Sequence, residues 1–243
     1  VGPGVRGAHS ERGGIFLAAE ESPLPRRPGI VERKVDSSPL PPASEDPPIS
    51  ELIQKTEGMQ PWRRVFHAFN GTILVLALLL LPIPDSVVFS ALGALLAALA
   101  FLDVVRLTRP AVNRVFFKAF GLLASPREAK KVASSTWYLV GVLLALLLFP
   151  RTAALAGILT MALGDPAAAV VGGRFGRRKL GKGTLEGSIT FALVAFGVQS
   201  LFVPWPVAAT AALATAAVEA LPWPVDDNLS LPLVASGVVT LLL

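Results

Sequence analysis

The chain has 243 residues, of which 53% are hydrophobic and 16% charged, with a mean hydropathy of +0.61 and no cysteine. A soluble domain carries about 25% charged residues, so an ordinary water-soluble globule is excluded, and the missing thiols exclude a disulfide framework, a cysteine nucleophile and a cysteine metal site. The formal charge of +5 hides two unlike parts: residues 1–58 carry seven basic and nine acidic side chains, whereas 59–243 carry fifteen basic and eight acidic ones. The basic part is the hydrophobic part, which suits phosphates or phospholipid headgroups as partners rather than nucleic acid.

Residues 1–58 hold nine of the 21 prolines and no sustained periodicity. Such a segment cannot bury enough apolar surface to offset its ordering entropy, and a disordered tail is expected. The run Ile15–Ala19 is too short for a signal-peptide core. The first methionine is Met59, so one expectation is that 1–58 reflects an upstream start assignment; the other is a genuine tail. Residues 59–243 form the expected membrane domain.

From Trp62 onward seven apolar segments follow, at about 66–82, 86–102, 133–149, 152–171, 187–203, 205–221 and 229–243. Each is near the ~20 residues that span a bilayer. Prolines 82, 84, 150, 204, 206, 222 and 224 mark many of the ends, because proline lacks an N–H and disfavours helix in the residue before it. A dip or break is expected around Pro166. Between the second and third segments, NRVFFKAFGLL reads as an interfacial amphipathic helix with Arg114 and Lys118 four residues apart. The fold class is therefore all-α, a polytopic integral membrane protein. With the Trp62 end in the cytoplasm, fourteen basic residues fall inside and only Arg151 outside, a strong positive-inside bias. Every polar constellation then lies on the cytoplasmic face.

Those constellations begin with Gly164–Ser188. Asp165 sits at a segment end, where a carboxylate either meets the headgroups or has a cation beside it. Gly172, Gly173, Gly176, Gly181, Gly183 and Gly187 follow, interleaved with five Lys/Arg. Glycines let backbone N–H groups approach a phosphate, although topology alone already calls for basic residues here. No GxxxxGK[ST] loop is present. Thr184 or Ser188 is the expected cap of the next helix, and helix N-termini also bind anions. A second junction carries Glu219 and Asp226-Asp227-Asn228, oxygen donors of the kind Mg²⁺ takes. Arg63, Arg64 and His67 open the first segment; His67 is a polar anchor or a proton acceptor. Asp103 and Arg106 end the second, as an i,i+3 ion pair or as part of the site wall.

Gly164, Asp165, Ala168, Gly172 and Gly176 in the pattern GDxxAxxxGxxxG, then TLEGS, then VEALPWPVDDNLSLP, together with RRVFHAFNG and LDVVRL, resemble the polyprenol kinase family, which contains dolichol kinase, phytol kinase and the CTP-dependent diacylglycerol kinase. The resemblance spans about Arg63 to Leu243. It implies a membrane kinase that moves the terminal phosphate of CTP (or ATP) onto a lipid alcohol, a prenol such as phytol or dolichol being the expected acceptor. It further implies that Asp165 and the Asp226-Asp227-Asn228 turn, with Glu219, hold Mg²⁺ and triphosphate. Asp165, Asp227 and His67 are then the catalytic candidates. Gly164, Gly172, Gly176, Lys179, Lys182, Thr184, Glu186, Gly187 and Ser188, with Arg63, Arg64 and Arg106, are the nucleotide- and phosphate-binding ones. The family has Lys directly before Thr/Ser-x-Glu-Gly; here Gly183 intervenes, leaving the phosphate role to Lys182 or Lys179.

Two other readings compete. A phosphatidate cytidylyltransferase shares an Asp-x-x-Ala and a Lys-Thr-x-Glu-Gly pattern, but its C-terminal His-Gly-Gly and Asp-Arg signature is missing, since no histidine follows residue 67. A small transporter or scaffold would use the intramembrane acids without nucleotide turnover.

Overall fold

The computed structural model describes residues 49–54 and 60–243. The expectations for Met59 and for most of the proline-rich tail lie outside the described residues. Residues 49–54, expected to be disordered, instead form a short helix, α1 (Ile49–Gln54), whose Leu52 is buried beside Phe117 and Ala124.

All seven apolar segments are helices: α2 (Pro61–Leu80), α3 (Asp85–Thr108), α5 (Ser134–Leu148), α6 (Arg151–Phe175), α7 (Leu185–Gln199), α8 (Trp205–Ala220) and α9 (Asp227–Leu242). Between α3 and α5 lie the amphipathic helix α4 (Pro110–Phe120) and a single turn, Pro126–Ala129. Among the described residues only α2, α3 and α6 are long and apolar enough to cross a bilayer; the other four apolar helices have 15 or 16 residues. Prolines set the starts as expected. Pro61 and Pro206 occupy first-turn positions, where the missing N–H costs nothing, and Pro84, Pro150 and Pro204 are the N-caps of α3, α6 and α8. The expected break at Pro166 does not occur, and α6 runs through it to Phe175. Neighbouring helices enclose α6, and such packing tolerates one missing backbone bond.

The core is built on α6, which packs on α2, α5, α7 and α9, while α8 closes the group against α7 and α9. Small residues permit this. Ala153, Ala154, Ala156, Gly157 and Ala162 are buried along α6, and a Cβ on Gly157 would stand 2.3 Å from Ser236 Oγ and 2.6 Å from the Pro232 carbonyl of α9. Close backbone approach of this kind replaces the hydrophobic effect as the packing force within a bilayer. The outer faces are the reverse. Phe69, Ile73, Leu80, Phe101, Val104 and Leu193 are all exposed, an apolar belt that only lipid satisfies. This is an all-α membrane protein.

One polar node fastens the α3–α5 connection. Arg106, only 1% exposed, donates to the Asp103 carboxylate at 2.6 Å, to the carbonyls of Glu128 and Lys131 at 2.6 and 2.8 Å, and to Asn113 Oδ1 at 3.4 Å. Its guanidinium also lies over the Phe116 ring, 4.6 Å from the centroid. Asp103 in turn accepts from the Ala133 N–H and from Thr136 Oγ1 at 2.6 Å. Removing one partner of a buried pair strands the other charge, at about 3–5 kcal/mol. Arg106→Leu is therefore expected to lower the unfolding free energy of the detergent-solubilised protein by about that amount. Arg109→Leu, at an exposed position, should change it by less than ~0.5 kcal/mol. Denaturant titration of both variants checks this.

Candidate functional site

The ends of α2, α3, α6 and α8 that carry the polar motifs meet the starts of α5, α7 and α9 at one end of the bundle. The opposite end holds a single paired cation, Arg151, bonded to Asp85 at 2.7 Å and to the Leu78 carbonyl. At the polar end a cavity of about 360 Å³ opens. Gln60, Arg63 and Arg64 line it from the start of α2, Asp165, Ala168, Gly172 and Gly173 from α6, Gly187 and Ser188 from α7, and Glu219 from α8.

Its remaining wall is a small hairpin, β1 (Lys179–Leu180) against β2 (Gly183–Thr184), which supplies Lys179, Lys182, Gly183 and Thr184. The hairpin turns on Gly181, whose φ is +53°, in a place where a Cβ would strike the Ala220 carbonyl at 1.8 Å. A two-residue turn needs a residue free to adopt that conformation. The Lys182 N–H then donates to the Ala220 carbonyl at 3.2 Å, tying the hairpin to the end of α8. Glu186 does not face the cavity. Hydrogen bonds from its own N–H and from those of Arg177 and Arg178 hold its carboxyl below the ordinary glutamate range, and it braces the strand from behind. Thr184 is the cap of α7, accepting from the Gly187 N–H at 3.2 Å. The Thr184 side chain also fills the space beside Gly172 and Gly176, so those glycines let the α6 terminus and the hairpin touch. Gly164 is a packing position too, set against the Phe191 ring.

Three carboxylates gather around one lysine. Lys182 Nζ is ion-paired with Asp227. Asp165 lies in the field of Lys182, Arg63, Arg64 and Asp227, and Glu219 in that of Lys182, Asp165 and Asp227. Ser188 Oγ donates to Glu219 at 3.2 Å. Among the described residues no three His, Cys, Asp or Glu side chains stand ready to grip one metal ion. Mg²⁺, however, usually takes only one or two carboxylates plus water and substrate phosphates, and the hard oxygens of Asp165 and Glu219, both lining the cavity, fit that pattern.

Several sequence candidates lie elsewhere. Arg106 faces the buried node, not the cavity, because Asp103 and two backbone carbonyls consume its donors. Asp226 caps α9 through the Asn228 N–H and side-chain amide and pairs with Arg127 at 3.3 Å; of the Asp226-Asp227-Asn228 turn none lines the cavity, and Asp227 touches its wall only through Lys182. His67 lines a second, apolar cavity of about 310 Å³, together with Phe66, Asn70, Leu99, Phe120 and Tyr138. Arg63 lines both cavities. Residues the sequence did not single out include Gln60, which accepts from Arg63 Nη1 at 3.1 Å and donates to the Ala124 carbonyl at 3.2 Å. Glu128, 3.9 Å from Arg63, and Tyr138 were also missed. A lone tyrosine in an apolar helix was the available signal for the last.

No family model matches the chain, and no solved structure does. Among curated proteins it is similar to the CTP-dependent diacylglycerol kinase 1 of Eremothecium gossypii, 32% identical over 114 residues, covering 47% of this chain and 36% of that protein. It is also similar to the CTP-dependent diacylglycerol kinase 1 of Schizosaccharomyces pombe, 27% identical over 165 residues, covering 58% of this chain and 74% of that protein. These matches bear out the resemblance to the polyprenol kinase family. The chain spans little more than a third of the first relative's length.

The hairpin geometry has a consequence that needs no ligand. Gly181→Ala forces a Cβ against the Ala220 carbonyl at positive φ, a strain of about 1–3 kcal/mol. The Lys182 amide should then exchange with deuterium roughly tenfold faster or more, read by mass spectrometry on a peptide spanning 177–186, with helix content by circular dichroism unchanged.

Proposed function

We propose that the chain is a Mg²⁺-dependent lipid-alcohol kinase that transfers the terminal phosphate of CTP, with diacylglycerol as the first acceptor to test and a prenol such as phytol or dolichol as the second. The observation that carries this reading is the polar cavity's charge. Arg63, Arg64, Lys179 and Lys182 line it against only Asp165 and Glu219, so it suits a polyanion bracketed by hard oxygen donors. The donor and the first acceptor follow the names of the two relatives.

Phosphoryl transfer asks for positioning and charge neutralisation more than for covalent participation by the protein. Arg63, Arg64 and the two hairpin lysines would hold the phosphate oxygens, and the glycine-lined α6 terminus would let the nucleotide approach the backbone. Asp165 and Glu219, with Asp227 beside Lys182, would hold Mg²⁺, which when bound neutralises charge on the phosphates. The acceptor hydroxyl oxygen attacks the terminal phosphorus in line. The new P–O bond forms as the bond to the bridging oxygen breaks, and CDP leaves with that electron pair. The hydroxyl proton passes to a neighbouring base. His67 is the candidate because its imidazole lines the apolar cavity together with Arg63, which also lines the polar one.

The test is turnover by purified protein in lipid nanodiscs, with CTP and ATP offered against diacylglycerol, phytol and dolichol. CDP and a phosphorylated lipid are expected. Pyrophosphate release would instead support a cytidylyltransferase, and no turnover with any pair would sink the enzymatic reading. Asp165→Asn is expected to cut the rate at least ~10²-fold while the protein still inserts, on the scale of losing one pre-organised electrostatic partner. Chelation of Mg²⁺ by EDTA should abolish turnover, and added Mg²⁺ should restore it.

A further inference from the structure

The apolar cavity and its surroundings assign a route for the acceptor. Leu95, Leu99 and Leu102 of α3 face rings from α2, α4 and α5 across it, and its polar groups include Arg63, His67 and Asn70 of α2. Tyr138 is 93% buried, its hydroxyl has no hydrogen-bond partner among the described residues, and its ring stands edge-on to His67 with centroids 5.2 Å apart. On the outside, a groove of about 370 Å³ runs past Trp62, Val65, Phe69 and Leu122. Groove and chamber share three residues, Phe66, Phe120 and Leu123, while chamber and polar cavity share Arg63. Groove, chamber and polar cavity thus adjoin in series between the exterior and the polar site, apolar until the last of the three.

The helix packing leaves room for the chamber. Although adjacent in sequence, α2 packs chiefly on α6 and α3 on α4 and α5, so the chamber lies where α2 and α3 part. Its outer rim is interfacial in character. Trp62 is 62% exposed, and tryptophan favours headgroup depth; α4 carries exposed Val115 and Phe120 alongside exposed Arg114 and Lys118, the pattern of a helix lying in the interface plane. Water-soluble ligands gain nothing from leucine and phenylalanine walls, and at about 310 Å³ the chamber sits at the small end of ligand pockets, ~300–1,000 Å³. A lipid's reactive end and the first stretch of its chain fit that description.

Resting on the lipid-kinase reading above, we propose that the acceptor enters sideways from the bilayer past Phe66 and Phe120. It lies in this chamber with its hydroxyl toward Arg63 and His67, and the far part of its chain stays in the outer groove. Leu99 thereby becomes a specificity-determining residue, setting how much chain the chamber admits.

Two measurements on the full chain in nanodiscs test this. Diacylglycerol analogues carrying a photoreactive diazirine either next to the glycerol or at the chain end are irradiated without nucleotide, and labelled peptides are read by mass spectrometry. The proximal probe is expected on 63–70, 95–102 and 134–139, and the distal probe on Trp62, Phe69 and Leu122. Unlabelled diacylglycerol should suppress both. Labelling confined to α8 and α9, or the reversed order of the two probes, overturns the proposal. Leu99→Trp is expected to raise the KM for the lipid at least tenfold while moving the KM for CTP less than twofold. An unchanged lipid KM overturns it, and the wild-type labelling stands as the test if that variant does not fold. Labelling does not require turnover. The expected pattern without phosphoryl transfer would uphold the chamber and sink the kinase reading, whereas transfer with labelling elsewhere would do the opposite.

Discussion

The buried pair of Asp103 and Arg106 is the constraint on which the polar end of the molecule depends. Taking two charges out of water costs several kcal/mol per ion, and that cost is offset only when the remaining donors and acceptors are satisfied. Here they are met by segments far apart in sequence: the Glu128 and Lys131 carbonyls, Asn113 of α4, and the Ala133 N–H and Thr136 of α5. The pair therefore fixes how the 109–133 connection folds back over the bundle. Glu128, placed by that connection, accepts from Ser134 Oγ at 2.8 Å and stands 3.9 Å from Arg63. The side chain common to both cavities is thus held from one side by a node on α3.

From the other side the hairpin sets the geometry. Its two-residue turn is anchored on the Ala220 carbonyl at the end of α8 and its second strand leads into the Thr184 cap of α7. Lys182 is thereby kept beside Asp227 at the start of α9. Three helix ends and one loop converge on a single lysine, and the acids are tolerable there because cations surround them. Neither half of the cluster would be stable alone in a low-dielectric setting, where an unpaired carboxylate is expensive. The same argument explains why Asp165 is tolerated within a helix otherwise rich in alanine, glycine and leucine.

Much of this was legible in the sequence. Apolar runs, bounding prolines and the Thr184 cap each have a local cause, and they fix the helices to within a few residues. The gathering of polar motifs at one end followed from counting charges between segments. What periodicity could not supply was direction. An Asp and an Arg three residues apart look the same whether they face a substrate or a buried carbonyl, and Arg106 faces the carbonyls. The Asp226-Asp227-Asn228 turn reads as one ligand set, yet its first and third residues are bonded to each other and its second reaches across to Lys182. Nor did sequence separate His67 from Arg64, three residues earlier. On a helix that spacing rotates the chain by about 300°, close to the same face, and the two side chains nevertheless enter different cavities.

That separation is the physical core of the functional reading. A phosphate donor is soluble and highly charged, whereas a lipid alcohol is held by its chain, so one undivided pocket would have to be wet and apolar at once. Two cavities of opposite polarity, meeting at one arginine, resolve the conflict. Arg63 can present its donors to a phosphate while its stem borders the apolar side.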